Sequence, residues 1–236
     1  MLPLNYQFES STSTQDEVEK YLFQTDFGAA LYTFNQIQGR GQYGNQWLLK
    51  KDENLAYSLM IHEGQIATSL SLINFHTALI VRDFLANLTQ GEVFVKWPND
   101  LIIHGKKVCG ILIERKKYNN EYYLTIGIGI NVLQTEFEAL SKAGSIYTQT
   151  SKKFDLKQFT LDFHRFFSYH ITLSHDSLML TYNEHLFNRN RVALFMVNQK
   201  RQNGIIKNVD EEGFLWIELE EDGLSRFFHK EVEMLY

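Results

Sequence analysis

The sequence predicts an α+β fold in which helices and a β-rich region precede a small C-terminal β-barrel. Residues 66–88 place apolar side chains at helical spacing, which predicts the longest helix of the chain. Residues 93–132 alternate apolar runs with turn signals, as antiparallel strands do. After residue 188, about four or five short strands separated by tight turns are typical of a small barrel. We therefore divide the chain into residues 1–187 and residues 188–236.

The first elements lead from a short helix to the long one. Thr14 and Glu17 have the spacing of a capping box, so a helix is expected to begin at Thr14. Strands are predicted at 31–34 and 56–62, on either side of a glycine-rich stretch. The helix of residues 66–88 follows the second of these strands.

The later elements are assigned by the same patterns. In chain order they are strands at 93–97 and 101–104, a turn at 104–107 into a third strand, a turn at 118–121 into a fourth, and helices at 156–170 and 176–187. Beyond residue 188, turns are predicted at Asn203-Gly204, Glu212-Gly213 and Asp222-Gly223.

Composition limits the class of protein. The 236 residues carry a net charge of -5, whereas nucleic-acid binders are usually basic, so no nucleic-acid partner is expected. Cys109 is the single cysteine, which excludes an internal disulfide and indicates a reducing compartment. No signal peptide and no apolar run of about 20 residues is present, so no membrane association is expected. A cytoplasmic location is the resulting prediction.

The glycine-rich stretch GRGQYGNQW, residues 39–47, suggests an anion-binding loop. It is no P-loop, because Asn45 stands where that motif needs lysine, and the dinucleotide fingerprint lacks the helix that must follow it. Backbone N–H groups beside the Arg40 guanidinium can form an anion cradle. The alternative is an exposed loop whose glycines only form turns.

Three further segments carry residues suited to a binding site. Lys96, Asn99 and Asp100 end a predicted strand, where sites are often built, although Asn and Asp also cap turns there. Lys107 precedes a strand interrupted by Gly110, and such a glycine indicates close approach of a ligand or another backbone. Lys106 and Lys107 start this strand, and either can instead be only a surface charge of a hairpin.

The segment GIGIN repeats the glycine signal and ends at Asn131. Cys109 lies in an apolar strand and is expected to be a buried structural residue. The eight histidines show no paired-ligand spacing, so no transition-metal site built by the protein is predicted. Jointly, these segments suit one site for an apolar ligand with a carboxylate beside a nucleotide.

These motifs together resemble those of biotin–protein ligases. GRGQYGNQW resembles the GRGRxGRxW loop of that family, KWPNDL its KWPND motif, KVCGILIE its KxAGIL(I/V)E strand, GIGINV its G(I/A)GIN segment, and TSTQDE its STN(D/E) segment. The motifs cover about residues 12–132, in the family's order. The resemblance implies a mixed β-sheet flanked by helices, followed by a small SH3-like C-terminal β-barrel.

The implied activity is that of a ligase forming a C–N bond. The biotin carboxylate attacks the α-phosphate of ATP, giving biotinyl-5′-AMP and pyrophosphate, with Mg²⁺ screening the phosphates. A lysine of a biotin carboxyl carrier protein, in acetyl-CoA carboxylase or a related carboxylase, then attacks the mixed anhydride and releases AMP. Positioning and charge stabilisation are the expected contributions of the protein.

The resemblance assigns roles by motif position. Biotin contacts fall on Ser13, Thr14, Gln15, Gln36, Gly39, Arg40, Gly41, Lys107 and Gly110. ATP or adenylate contacts fall on Arg40, Gln42, Trp47, Asn99, Lys107 and Asn131. Catalytic roles fall on Lys107, Arg40 and Asp100, with Asp100 as the orienter or base for the carrier lysine. No metal ligand is assigned to the protein, since Mg²⁺ is expected with the ATP phosphates.

Three positions depart from the family pattern. Gln42 stands where many members carry a second arginine, Gln15 where asparagine is usual, and Lys230 where a glycine often precedes Glu231. Gln42 removes one cation from the loop, so we hypothesise that the adenylate is held less tightly. The first motif begins near residue 13, which leaves no room for an upstream DNA-binding domain, so no repressor role is expected.

Other functions stay open at this point. A lipoate–protein ligase shares the fold and the adenylate chemistry, although KWPND and the glycine-arginine loop favour biotin. A non-catalytic binding module is a second alternative, and a dinucleotide oxidoreductase a weaker third. A homodimer that pairs strand edges at 122–132 is also open.

Overall fold

The structure is a computed structural model and describes residues 3–24, 28–138 and 140–236. The first nine strands form a large sheet and one small hairpin. They are β1 (Leu4–Phe8), β2 (Ala29–Thr33), β3 (Gly39–Arg40), β4 (Gln46–Trp47), β5 (Asn54–His62), β6 (Phe94–Lys96), β7 (Asp100–Ile103), β8 (Lys106–Tyr118) and β9 (Glu121–Asn131).

The large sheet has seven strands in the order β1-β2-β5-β9-β8-β7-β6. The β1–β2 pair is parallel and every other neighbouring pair is antiparallel, so the sheet is mixed, as predicted. Strand β1 had no counterpart among the predicted elements. Asn119 and Asn120, both with positive φ, close the β8–β9 hairpin at the predicted turn, because asparagine tolerates this backbone conformation.

Five α-helices lie in the described residues: α1 (Thr14–Glu17), α2 (Ile73–Thr89), α3 (Ile146–Thr150), α4 (Leu156–His170) and α5 (Leu178–Glu184). Helices α2 and α4 cover one face of the sheet, where Phe84 packs against Phe163 with ring centroids 5.2 Å apart. Tyr57 of β5 packs against the same Phe163 ring at 5.2 Å. On the other face, Val18 and Leu22 belong to a separate cluster beside β2.

Two helix predictions are corrected. The long helix begins at Ile73, not at residue 66, because Thr68 bonds through its hydroxyl to His76 Nδ1 (2.9 Å) and the serine-rich segment before Ile73 forms a coil. The capping box at Thr14 is wrong. Ser13 is the N-cap, and the Thr14 hydroxyl donates to Gln36 Oε1 (3.2 Å) across the fold.

The C-terminal strands form a five-stranded antiparallel sheet. They are β10 (Val192–Val197), β11 (Lys200–Val209), β12 (Leu215–Leu219), β13 (Gly223–Phe227) and β14 (Val232–Leu235), in the order β13-β12-β11-β10-β14. The small C-terminal β unit is present as predicted. Its edge strands β13 and β14 do not pair with each other in this fully described region, so the sheet does not close into a barrel.

The turn predicted at Asn203-Gly204 is wrong, because both residues lie inside β11. A Cβ at Gly204 would lie 2.9 Å from both Ile217 and Leu219, so the glycine serves close packing rather than chain reversal. The reversal occurs at Asn198 and Gln199, which both have positive φ.

The C-terminal sheet is joined closely to the large one. The Trp97 indole donates to the carbonyl of Gly213 (3.1 Å), which lies between β11 and β12. One apolar core runs through both units, so the division at residue 188 stays a prediction. Within the described ranges, no helix is both long and apolar enough to cross a membrane.

Candidate functional site

A cavity of about 680 Å³ lies between the large sheet and the C-terminal sheet. Its walls come from the start of α1, the loop of residues 39–47, the centres of β5, β8 and β9, the turn between β6 and β7, and the C-terminal strands. Segments far apart in the sequence therefore share one site.

One wall of the cavity is a network of hydroxyl and amide groups. Gln36 Oε1 accepts hydrogen bonds from the Thr14 amide (2.9 Å) and the Thr14 hydroxyl (3.2 Å). The Ser58 hydroxyl donates to Thr14 Oγ1 (2.9 Å). Ser13 Oγ is buried and has no hydrogen-bond partner among the described residues. The wall is thus pre-arranged and keeps a spare polar group, which suits a polar ring of a ligand.

Gln15 extends this network to the neighbouring strands. Its Nε2 donates to the Thr125 carbonyl (3.0 Å) and to Glu114 Oε2 (3.1 Å), and its Oε1 accepts from Ser58 (3.2 Å). A Cβ at Gly127 would overlap the Gln15 amide. The glycine inside β9 therefore leaves room for a protein side chain.

The glycine-rich stretch forms a small hairpin of β3 and β4, followed by no helix, which agrees with rejecting the dinucleotide fingerprint. The Gly41 amide donates to the Asn45 carbonyl (2.7 Å) inside this hairpin. Gly39 is not part of the cavity wall, since a Cβ there would overlap the Gln36 side chain and the Trp47 backbone. Gly41 and Gln42 do line the cavity.

Arg40 also lines the cavity, but its guanidinium is bound to two carboxylates of the protein. It contacts Glu114 through two hydrogen bonds (3.0 and 2.8 Å) and Asp16 through one (2.7 Å). The hydrogen bonds to Glu114 raise the pKa of Arg40 above its ordinary value, against the opposing effect of burial. In this arrangement Arg40 is held at the cavity edge.

The charged centre of the cavity is the pair formed by Lys107 and Asp100. Lys107 Nζ lies 2.6 Å from Asp100 Oδ1, and Lys96 Nζ lies 3.8 Å from Asp100 Oδ2. Burial lowers the pKa of Lys96, against the attraction of Asp100. Asn99 lines the cavity beside them and donates to the Ile111 carbonyl (2.6 Å). The KWPND segment and the KxxG strand are therefore brought together.

Trp47 covers the two central glycines of the sheet. A Cβ at Gly110 would lie 3.0 Å from its ring, and a Cβ at Gly129 would overlap it. Lys107 Nζ lies 5.6 Å from the ring centroid. Trp47 Nε1 is buried without a hydrogen-bond partner in the described structure. Gly110 was predicted to leave space for a ligand, and in this structure the Trp47 indole occupies that space.

Besides Gly39, one candidate residue, Asn131, lies outside the cavity wall. Asn131 is buried and donates to the Gly144 carbonyl (2.9 Å), so the structure does not place it in the cavity wall. Cys109 is fully buried, and burial raises the pKa of its thiol, which agrees with a structural residue. The described residues contain no group of three His, Cys, Asp or Glu side chains that can hold a metal ion.

Sequence reasoning missed several residues of the site. Ser58 was detectable as a polar residue inside an apolar strand, and Glu114 as the last residue of the KVCGILIE segment. His229 and Lys230 line the cavity from the turn between β13 and β14. Lys230 was noted only as a departure from the family pattern, and no motif placed either residue at the site. Only the packing of the two sheets brings them to the site.

Comparisons with known proteins fit this geometry. The sequence model of the biotin/lipoate A/B protein ligase family matches residues 7–131. Biotin–protein ligase 2 of Arabidopsis thaliana is 27% identical over 128 residues, 51% of this chain and 38% of that protein. Biotin–[acetyl-CoA-carboxylase] ligase of Paracoccus denitrificans is 32% identical over 100 residues, 41% of each chain. The chain thus matches less than half the length of these curated relatives.

A solved structure shares the whole fold. The biotin protein ligase from Aquifex aeolicus in complex with biotin and ATP superposes with a TM-score of 0.78 at 24% sequence identity, over 98% of both chains. The mixed sheet with its helices and the small C-terminal β unit are therefore a known arrangement.

Proposed function

Because the chain belongs to the biotin/lipoate A/B protein ligase family, we propose that it activates biotin with ATP to biotinyl-5′-AMP and transfers biotin to a lysine of a biotin carboxyl carrier domain. The observation that carries this proposal is one cavity that joins a pre-arranged hydroxyl and amide wall to the Lys107–Asp100 pair. The first part suits the ureido ring of biotin, and the second suits a carboxylate meeting a phosphate.

Each side chain of the cavity has a separate role in this proposal. Ser13, Thr14 and Gln36 bind the ureido ring, with Gln15 bracing Ser58 behind them. Lys107 stabilises the negative charge that develops as the biotin carboxylate displaces pyrophosphate from the α-phosphate. Asp100 holds the Lys107 ammonium at 2.6 Å, which supports the role of orienter over that of base.

Mg²⁺ belongs with the ATP phosphates in this proposal. The carboxylates that line the cavity, Asp100 and Glu233, are each within 3.8 Å of a lysine, so they do not fit a metal site built by the protein. Arg40, Gln42, Trp47 and Asn99 line the cavity on the side proposed for the nucleotide. The carrier partner, in acetyl-CoA carboxylase or a related carboxylase, and the cytoplasmic location belong to the same proposal.

The test is a modification assay read by mass. The protein is incubated with ATP, Mg²⁺, a biotin carboxyl carrier domain, and either biotin or lipoate. We expect a mass gain on the carrier lysine with biotin, whereas a gain only with lipoate assigns the lipoate ligase activity and no gain with either contradicts both.

Two neighbouring lysines give a matched control for the catalytic role. Lys107→Ala is expected to lower kcat by about 100-fold or more, the usual loss when a transition-state charge partner is removed. Lys106→Ala removes an equal charge one residue away, where the ammonium donates to the Ser141 carbonyl (2.6 Å), and is expected to stay near the wild-type rate. Equal effects of the two substitutions would remove the assignment of Lys107.

A further inference from the structure

The cations of the cavity differ in whether a carboxylate neutralises them. Arg40 is paired with Asp16 and Glu114, while Lys107 and Lys96 share Asp100. Lys230 lines the same cavity and, among the described residues, has no carboxylate within ion-pair distance. An unneutralised ammonium at a cavity wall is available to an anionic group of a ligand.

Lys230 reaches the cavity from the C-terminal sheet and contacts the glycine-rich loop. It lies between β13 and β14 with a positive φ of 68°, a conformation that glycine adopts more readily. Its Nζ lies 4.2 Å from the ring centroid of Tyr43, which also has a positive φ (58°). Gln42 precedes Tyr43 and lines the cavity as well. Two departures from the family pattern, at residues 42 and 230, thus meet at one place.

His229 fixes the position of Lys230. Its ring packs on Trp97 at 4.8 Å and on Tyr43 at 6.0 Å. His229 Nδ1 is buried, with no hydrogen-bond partner in the part of the chain that the structure describes. The turn that carries Lys230 is therefore anchored on the cavity wall, beside an additional polar atom.

We propose that Lys230 supplies the cation that binds a phosphate of the nucleotide, in place of the arginine that biotin–protein ligases often carry at the position of Gln42. This inference rests on the proposed function. The C-terminal sheet then takes part in nucleotide binding through a residue that departs from the family pattern. Tyr43 holds the ammonium by a cation–π contact until the anion arrives.

The test compares four variants in the KM for ATP, in kcat, and in ATP affinity by titration calorimetry. Lys230→Met removes the charge and keeps the side-chain length, so we expect a five- to tenfold higher KM for ATP, about the effect of one charge-assisted hydrogen bond at a half-open site. Lys230→Arg keeps the charge and is expected to stay within about threefold of wild type. Lys207→Met removes an exposed charge paired with Glu218 and is the control without effect.

A second substitution that restores the positive charge tests whether Lys230 acts through its charge or only through its structural contacts. Gln42→Arg in the Lys230→Met background is expected to restore ATP affinity to within about twofold of wild type. An unchanged ATP affinity in Lys230→Met, or a loss that Gln42→Arg does not restore, overturns the inference. Failure of the wild-type chain to form biotinyl-5′-AMP would instead refute the proposed function, because calorimetry still reports ATP binding by Lys230.

Discussion

Replacing Asp16 with asparagine tests whether the ion pairs of Arg40 compete with ligand binding. In the structure the guanidinium is bound by Asp16 and Glu114, whereas its proposed role places it on a carboxylate or phosphate of the ligand. The guanidinium must then give up protein partners when a ligand arrives. Each partner weakens the apparent affinity by the free energy of its ion pair.

The magnitude follows from the exposure of the three side chains. Arg40 is 40% exposed and Asp16 is 56% exposed, so their ion pair is worth about 0.2–1 kcal/mol. Loss of this pair is expected to tighten ATP binding by about 1.5- to fivefold. Glu114 is 27% exposed and holds Arg40 through two hydrogen bonds, so the effect of Glu114→Gln is expected at the upper end of this range, about fivefold.

The assay is titration calorimetry with ATP at fixed ionic strength, supported by the KM for ATP. Glu17→Gln is the matched control, because Glu17 lies on the same helix and is paired with Lys20 (2.8 Å) instead of Arg40. It corrects for the loss of one negative charge near the cavity. Weaker or unchanged ATP binding in both Asp16→Asn and Glu114→Gln would show that Arg40 keeps its protein partners in the ligand complex and does not exchange them for the ligand.

Three further outcomes are expected. Gly129→Ala places a methyl group in the Trp47 ring and is expected to shift the tryptophan fluorescence and to lower the free energy of unfolding by about 1–3 kcal/mol in urea titrations. Gln42→Arg is expected to slow release of biotinyl-5′-AMP about two- to fivefold in a rapid-mixing experiment, and an unchanged rate contradicts the hypothesis that the neutral side chain loosens the adenylate. Burial and then neighbouring histidine charges lower the pKa of His76 to about 4, so the neutral form is the folded one and stability falls as pH drops from 6.5 towards 4. The loss from His76 is at most about 3 kcal/mol. The pH slope should become shallower in His76→Gln when unfolding is measured across that range, and the remaining slope comes from other groups such as His164, whose pKa burial also lowers.

Local signals predicted some elements closely. Helix α4 begins and ends as predicted, because its amphipathic pattern coincides with an N-cap at Asp155, whose side chain accepts from the Gln158 amide (2.8 Å). The turn at Asn119 and Asn120 was equally clear. Asn203-Gly204 has the same residue types as a turn but lies in a strand. Its conformation is set by close packing of Gly204 against Ile217 and Leu219, and these residues are too distant in the sequence for a local pattern to reveal the contact.

The candidate site was predictable only where its residues lie in linear motifs. Thr14, Asp100 and Lys107 lie at or next to the start of a helix or strand beside the cavity, and Gln36 lies in the segment between β2 and β3. The motif positions did not reveal that Arg40 is paired within the protein, since that contact depends on carboxylates from two other elements. The spacing of motifs in the sequence predicts which residues lie near the site. Which side chains form ion pairs with one another is known only from the tertiary structure.

The boundary near residue 188 marks a change of topology, but the residues on its two sides share one core and one cavity. Phe195 and Ile206 belong to the C-terminal strands, yet both are part of the common core and of the cavity wall. The Asn183 side chain donates to the Val209 carbonyl (2.9 Å) and accepts from the Val209 amide (2.7 Å), which ties β11 to the end of α5. Removing the C-terminal sheet would expose this apolar face and take away the hydrogen-bond partner of Asn183 Oδ1. Tyr43 of the glycine-rich stretch would also lose its contacts with His229 and Lys230. The cavity therefore depends on both units, and so does the function proposed for it.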